Sequence, residues 1–289
     1  VKNDLHILEL SSFTWTTPAT SGTVPEKRYR HTAIKNNDKM VVFGGYGSTY
    51  LNDVYELDLP TWVWSKPSIS GTSPTARYTH VAVYHNNKMY IFGGYGDDGG
   101  LSDMHALDLM SWKWNEVIIA SNPSLEKRYL ASAVMWNNKF IFFGGYKDDC
   151  CGGGTIYNDV FVLDLSESTL AWHQQTTTGT KPISRYAHSA AIVKNDFMVI
   201  FGGAKAYGTL LSDLHILDLN SWEWNEADLE LGKPTARRET PLIVSSGKMT
   251  LVGGRLSNGC SDYLYTLDLC QECSICMAGR WSIAGANEC

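Results

Sequence analysis

The sequence predicts an all-β fold of repeated four-stranded sheets, and three recurring elements in its 289 residues carry that prediction. Double glycines stand at Gly44-Gly45, Gly93-Gly94, Gly144-Gly145, Gly202-Gly203 and Gly253-Gly254, at intervals of 49, 51, 58 and 51 residues. Between them lies an Asp followed by alternating apolar residues and a Leu-x-Leu ending, in six copies starting at Asp4, Asp53, Asp103, Asp159, Asp213 and Asp262. Tryptophans follow at Trp15, Trp62/Trp64, Trp112/Trp114, Trp172 and Trp222/Trp224, and a polar loop with Pro then leads to an Arg-Tyr-x-His signal. Self-similarity at such a period marks an architecture of stacked units.

Each element has a physical reading. The lead-in is complete at Arg28-Tyr29-His31, Arg77-Tyr78-His80 and Arg185-Tyr186-His188, and degraded at Arg128-Tyr129-Ala131 and Arg237-Arg238-Thr240. His80 to Tyr84 and Lys88 to Phe92 have the length and apolar pattern of strands. The pairs Asn86-Asn87, Asn137-Asn138 and Asn195-Asp196 tolerate positive φ and predict tight hairpins. Double glycines close the second strand where two backbones approach and no Cβ fits. The Leu-x-Leu segment is the third strand, and Trp-x-Trp is expected to put two indoles on one face of the fourth. One four-stranded sheet cannot bury both its faces. Radial stacking buries them, with the indoles of one blade against the next, which is a β-propeller.

From residue 3 to about 269 these motifs resemble the kelch repeat family. The resemblance rests on the double glycines, the Tyr/His position of the third strand, the spaced tryptophans and the Arg-Tyr-x-His lead-in. It implies four-stranded blades around a central channel. Residues 3–17 supply the third and fourth strands of a first blade; complete blades follow at roughly 26–66, 75–116, 126–174 and 183–226, and a last begins at 235. Upstream sequence completing the first blade gives an expected count of six.

Composition narrows the function classes. The net charge is −6 and the cations are scattered, so there is no footprint for nucleic acid or an anionic membrane surface. No apolar run approaches the roughly 18 residues needed to cross a bilayer. With 44% hydrophobic residues, the chain builds its core without disulfides.

The histidines read as structural. His6, His105 and His215 share one third-strand position with Tyr55, Phe161 and Tyr265, so the site selects an aromatic shape rather than a ligand. His31, His80 and His188 belong to the lead-in, where hydrogen bonding to neighbouring groups is the expected role. Propellers similar to galactose oxidase need paired histidines and tyrosines with a cysteine-linked tyrosine, and plant specifier proteins carry Glu, Asp and His at four-residue intervals. Neither arrangement is present, nor is a nucleophile elbow, a phosphate loop or a zinc-protease motif. The expectation is a protein without enzymatic activity, cofactor or metal.

Recognition is expected in the variable loops between second and third strands, at 46–51, 95–101, 146–157, 204–211 and 255–261. Tyr46, Tyr95 and Tyr146 begin three of them and Tyr207 lies in a fourth, offering rigid amphipathic surface for a protein or glycan. The alternative for these tyrosines is packing within the blade. The acidic pairs Asp97-Asp98 and Asp148-Asp149 are further loop candidates, without the alternating spacing of a calcium loop.

Seven cysteines remain. All seven are disulfide candidates: Cys150, Cys151 and Cys260 lie in loops of one class, open to a Cys150–Cys151 bond or a bridge from one of them to Cys260, and Cys270, Cys273, Cys276 and Cys289 lie in the tail. The stretch from Cys276 to Cys289 resembles the short cysteine-rich modules of extracellular proteins. That resemblance implies a Cys276–Cys289 disulfide and places the start of a disulfide-rich module at 270–289, after a propeller over 1–269. A thiolate zinc site is the weaker alternative. The resulting expectation is an extracellular recognition module binding a protein or glycan through its loops. The alternatives are a structural subunit of an extracellular filament or matrix, joined to copies of itself, and an intracellular kelch adaptor.

Overall fold

A computed structural model describes residues 2–120, 125–149, 153–227, 233–269 and 281–284. Its architecture is an all-β propeller in which five four-stranded blades are seen, preceded by a two-stranded sheet of Ile7–Glu9 and Thr14–Thr16. Blade A is built from Thr32–Asn36, Lys39–Tyr46, Tyr50–Asp58 and Val63–Ser65. Blade B comprises Val81–His85, Lys88–Phe92, Met104–Asp108 and Lys113–Glu116. Blade C comprises Ser132–Trp136, Lys139–Phe143, Val160–Asp164 and Trp172–Gln175. Blade D comprises Ser189–Val193, Phe197–Phe201, Leu214–Asp218 and Glu223–Glu226. Blade E comprises Leu242–Ser245, Lys248–Val252, Leu264–Asp268 and Trp281–Ala284. Strands follow chain order across each blade, antiparallel throughout.

The hairpins form as the sequence predicts. Asn86, Asn87, Asn137 and Asn195 all take positive φ, the left-handed region that asparagine tolerates better than other non-glycine residues. Linkers between blades do more than connect. Ser21–Gly22, Ser70–Gly71 and Thr178–Gly179 run parallel to the fourth strand of blades A, B and D as a fifth, outer strand. Gly71 has φ +79°, and a Cβ there would stand 2.1 Å from the Trp114 carbonyl oxygen, so the position accepts only glycine.

The chain forms two compact units, Val1–Leu130 with Glu167–Trp172, and Ala131–Ser166 with His173–Cys289. In the first unit, Phe43 of blade A packs edge-on against Trp114 of blade B at 5.1 Å, amid Val54, Met89, Ile91 and Leu107. In the second, Phe143 meets Trp224 at 5.3 Å beside Ile141, Ile200 and Leu217. The indole of one blade therefore lies against its neighbour, as radial stacking requires.

Five blades are seen, with the two-stranded sheet ahead of them where the third and fourth strands of an incomplete first blade were expected. Three expectations need correction. Only the second Trp of each Trp-x-Trp is in the fourth strand: Trp62, Trp112 and Trp222 occupy the preceding turn with φ 57°, 53° and 59°. In blade E, Val252 pairs with Leu264 just as Phe201 pairs with Leu214, so Tyr263, not Asp262, takes the register position of Asp213. Finally, strand Trp281–Ala284 pairs with Leu264–Asp268, so the last blade runs past residue 269. Trp281 stands opposite Leu267 as Trp64, Trp114 and Trp224 stand opposite Leu57, Leu107 and Leu217. The resemblance of 276–289 to a cysteine-rich module thus rests partly on a tryptophan in blade register.

A tyrosine cluster as the candidate functional site

The lead-in arginines set the geometry. Arg77 is buried; its guanidinium donates to both Asp103 oxygens at 2.7 and 2.6 Å and to the Gly93 carbonyl at 3.0 Å. Arg185 repeats this with Asp213 at 2.8 and 2.7 Å and Gly202, and Arg28 with Asp53 at 2.6 and 3.1 Å and Gly44. Bidentate pairing of this kind fixes orientation as well as position. Burial pushes the Asp103 carboxyl up, but bonds from His105 and Arg77 outweigh it and hold the group well below the usual carboxylate range. Asp213 behaves likewise under Arg185 and His215.

Each clamp ties the lead-in to the double glycine. Tyr78 and Tyr95 exchange backbone hydrogen bonds of 3.0 Å in both directions, as do Tyr29 and Tyr46 at 3.0 and 2.9 Å. Gly94 permits this closeness, because a Cβ there would lie 2.8 Å from the His80 Cβ and 2.9 Å from the Tyr78 carbonyl oxygen. In such a pair the two side chains stand side by side on one face.

The outcome in the first unit is a continuous aromatic surface. Tyr46 lies 5.5 Å from Tyr29, 5.1 Å from Tyr50 and 5.9 Å from Tyr78. Tyr78 reaches Tyr50 at 5.4 Å and Tyr95 at 6.0 Å, and Tyr95 meets Tyr129 at 5.1 Å. The guanidinium of Arg30 lies 5.5 Å from the centre of the Tyr78 ring. All six tyrosines keep solvent access; Tyr29 is the most open, and burial together with the neighbouring phenols pushes the Tyr50 hydroxyl up.

The structure thus joins two of the expected residues, Tyr46 and Tyr95, into one cluster. It also supports part of the packing alternative, because each of these rings bridges consecutive lead-ins. Tyr146 makes the same contact in the second unit, 5.6 Å from Tyr186, and its hydroxyl donates to the Gly153 carbonyl. Tyr207 is apart, fully exposed and at positive φ. Asp97 and Asp98 are exposed in the turn between the short strands Tyr95–Gly96 and Gly99–Gly100. Asp148 is half-buried and Asp149 exposed. Tyr50 was not singled out in the sequence because no other blade repeats it. Cys260 is exposed with a free thiol. Cys150, Cys151, Cys270, Cys273, Cys276 and Cys289 lie outside the described residues, as do the pairings expected of them.

Histidine chemistry stays internal. His80 and His188 are buried, with pKa values lowered to about 3 by burial and by Arg77 or Arg185. Asp213, His215 and Glu226 bring three ligand-type atoms together, yet both Asp213 oxygens are already engaged by Arg185. Asp213 is thus committed to the clamp, and the His215 Nε2 donates to one of the same oxygens at 3.0 Å.

Repeated blades carrying an aromatic surface at their lead-ins define a β-propeller recognition domain. The chain belongs to the kelch-repeat family: the sequence profile of the KLHDC2/KLHL20/DRC7 Kelch-repeats domain matches residues 1–169 and 131–282. Kelch propellers of this family bind proteins and are usually non-catalytic. Similar proteins include acyl-CoA-binding domain-containing protein 4 of Arabidopsis thaliana, 35% identical over 88% of this chain and 31% of the relative. Dynein regulatory complex subunit 7 of Chlamydomonas reinhardtii is 35% identical over 41% of the chain and 10% of its own length. Kelch domain-containing protein 2 of Bos taurus is 37% identical over 42% of the chain and 33% of its own length. The chain therefore spans about a third or less of these relatives. No helix among the described residues is long and apolar enough to cross a membrane.

Proposed function

We propose that the chain is a kelch adaptor propeller that grips a protein partner with the tyrosine surface of blades A and B. The observation that carries this is the unbroken contact network from Tyr29 through Tyr46, Tyr50, Tyr78 and Tyr95 to Tyr129. A blade needs no second tyrosine at this register to fold, since blade D has Ala204 there. Six tyrosines held half-open by buried Arg–Asp clamps give a pre-ordered surface of the kind that loses little entropy on binding.

The adaptor reading is favoured over an extracellular stalked module by the strand Trp281–Ala284, which joins blade E. The family match runs to residue 282, and Trp281 falls in the blade register. The extracellular and filament readings rest on cysteines outside the described residues. Affinity capture with the wild type and with Tyr50→Ala and Tyr95→Ala tests the surface. Partners lost from both variants and retained by Met110→Ala, an exposed residue outside the cluster, support it. Partners held equally by all forms overturn it.

A further inference from the structure

Blade E departs from the tyrosine pattern at both partners of the bridge. The pairs Tyr29/Tyr46 and Tyr78/Tyr95 in blades A and B are replaced here by Arg238 and Arg255. These two exchange backbone hydrogen bonds of 3.1 and 2.8 Å, which sets their side chains directly opposite on one face. Like charges so placed destabilise a sheet. Neither guanidinium has an ion-pair partner among the described residues, and the Nε of Arg238 is buried with no hydrogen-bond partner at all. Folding alone gives no reason for this pair.

Both arginines line a groove of about 700 Å³ in the second unit. Thr209, Thr235, Ser257 and Asn258 also line it; among the described residues the rest of the lining is small or aliphatic and none of it is acidic. The groove thus offers two fixed positive charges, three hydroxyls and an amide, with apolar wall beside them. One carboxylate would leave a guanidinium uncompensated. A phosphoryl monoester carries close to two charges at neutral pH and three acceptor oxygens, which matches the charge and the donors together. The apolar wall suits a peptide flank better than a free ion.

We infer that the Arg238/Arg255 groove of blade E binds a phosphorylated side chain of a protein partner. This rests on the reading of the propeller as a protein-binding domain and adds a charge requirement, at a surface separate from the tyrosine cluster.

The test is fluorescence anisotropy of the full chain with labelled short Gly/Ser peptides carrying one phosphoserine or phosphotyrosine. Matched peptides carry Glu, sulfotyrosine or no charge. The expected result is binding of a phosphopeptide at least about tenfold tighter than any matched peptide, a gap of about 1.4 kcal/mol. That binding is lost in Arg238→Gln and in Arg255→Gln and retained in Tyr95→Ala. Arg255→Gln, which removes a like-charge contact at an exposed residue, is expected to melt no lower than the wild type. Equal binding of phosphorylated and Glu peptides, tighter sulfopeptide binding, or phosphopeptide binding unchanged in both arginine variants overturns the inference. Loss of phosphopeptide binding in Tyr95→Ala would instead place the peptide on the tyrosine cluster and also overturn it. None of these results bears on whether Tyr50→Ala releases a captured partner, so the two readings fail separately.

Discussion

Ser132 and His188 share a hydrogen bond of 2.7 Å between the first strand of blade C and the lead-in of blade D, and Thr32 and His80 share one of the same length between blades A and B. In both histidines Nδ1 is buried without a partner, so the hydroxyl is the sole polar contact of the ring. Where the lead-in histidine is replaced by Ala131, the register position of Thr32 is held by Val81, and where it is replaced by Thr240, the Ser189 hydroxyl donates to the Thr240 carbonyl instead. Thr32→Val should therefore cost about 1–3 kcal/mol by stranding the His80 ring. The double variant Thr32→Val/His80→Ala should cost less than the sum of the single changes. Urea unfolding of all four forms checks this, with a coupling of about 1 kcal/mol or more expected for residues in contact.

The same histidines set the acid response. Their pKa values are lowered to about 3 in the fold, against about 6.5 for an unfolded histidine. Between those values the unfolded chain binds a proton at each site that the native chain does not, so stability falls as pH falls from about 6.5 towards 3. Each contributes a slope of about 1.4 kcal/mol per pH unit in that window. Depressed Asp103 and Asp213 add to the loss only once pH drops below about 4. Thermal melts across this range should show destabilisation starting near pH 6, and His188→Gln should flatten the slope by about one proton.

The Arg–Asp clamps give a third prediction. Arg77→Ala leaves Asp103 with His105 alone and the Gly93 carbonyl without its donor, and should cost about 3–5 kcal/mol. Blade E lacks the clamp: Arg237 reaches Ser261 Oγ at 3.3 Å, while Tyr263 holds the register position of the missing Asp. Tyr263→Asp should supply a carboxylate there and raise the melting temperature. A lower melting temperature would show that register does not determine the pairing.

Linker strands are tested at one atom. Gly71→Ala forces a Cβ to 2.1 Å from the Trp114 carbonyl oxygen at φ +79°. It should cost more than the roughly 1 kcal/mol usual for such changes, because strain adds to the lost contact. The same change at Gly99, where a Cβ meets nothing within 4 Å, should cost only the positive-φ penalty.

Much of the scaffold was legible because its constraints repeat. Double glycines and the Leu-x-Leu strands each answer a local steric or burial need and recur once per blade, and Asn turns recur in four of the five, with Ser246-Gly247 taking positive φ in blade E. The clamp was not legible, because Arg77 and Asp103 lie 26 residues apart and only folding shows that they meet. Trp281 was missed because a stretch containing three cysteines separates it from Leu267, where other blades have a short turn. Tyr263 was hidden by Asp262 next to it, a one-residue offset that turns a side chain to the other face. Of the site, Tyr46 and Tyr95 were found because they follow repeated glycines. Tyr50 and the Arg238/Arg255 pair depart from the repeat, and a departure carries no periodic signal.

The most direct test of the central claim is a hydrogen-exchange footprint of the chain bound to a captured partner. Protection is expected at residues 28–31, 45–51, 77–80 and 94–96, the backbone that carries the tyrosine cluster. Protection confined to the outer strands Val63–Ser65 and Lys113–Glu116, with those segments unchanged, would contradict it.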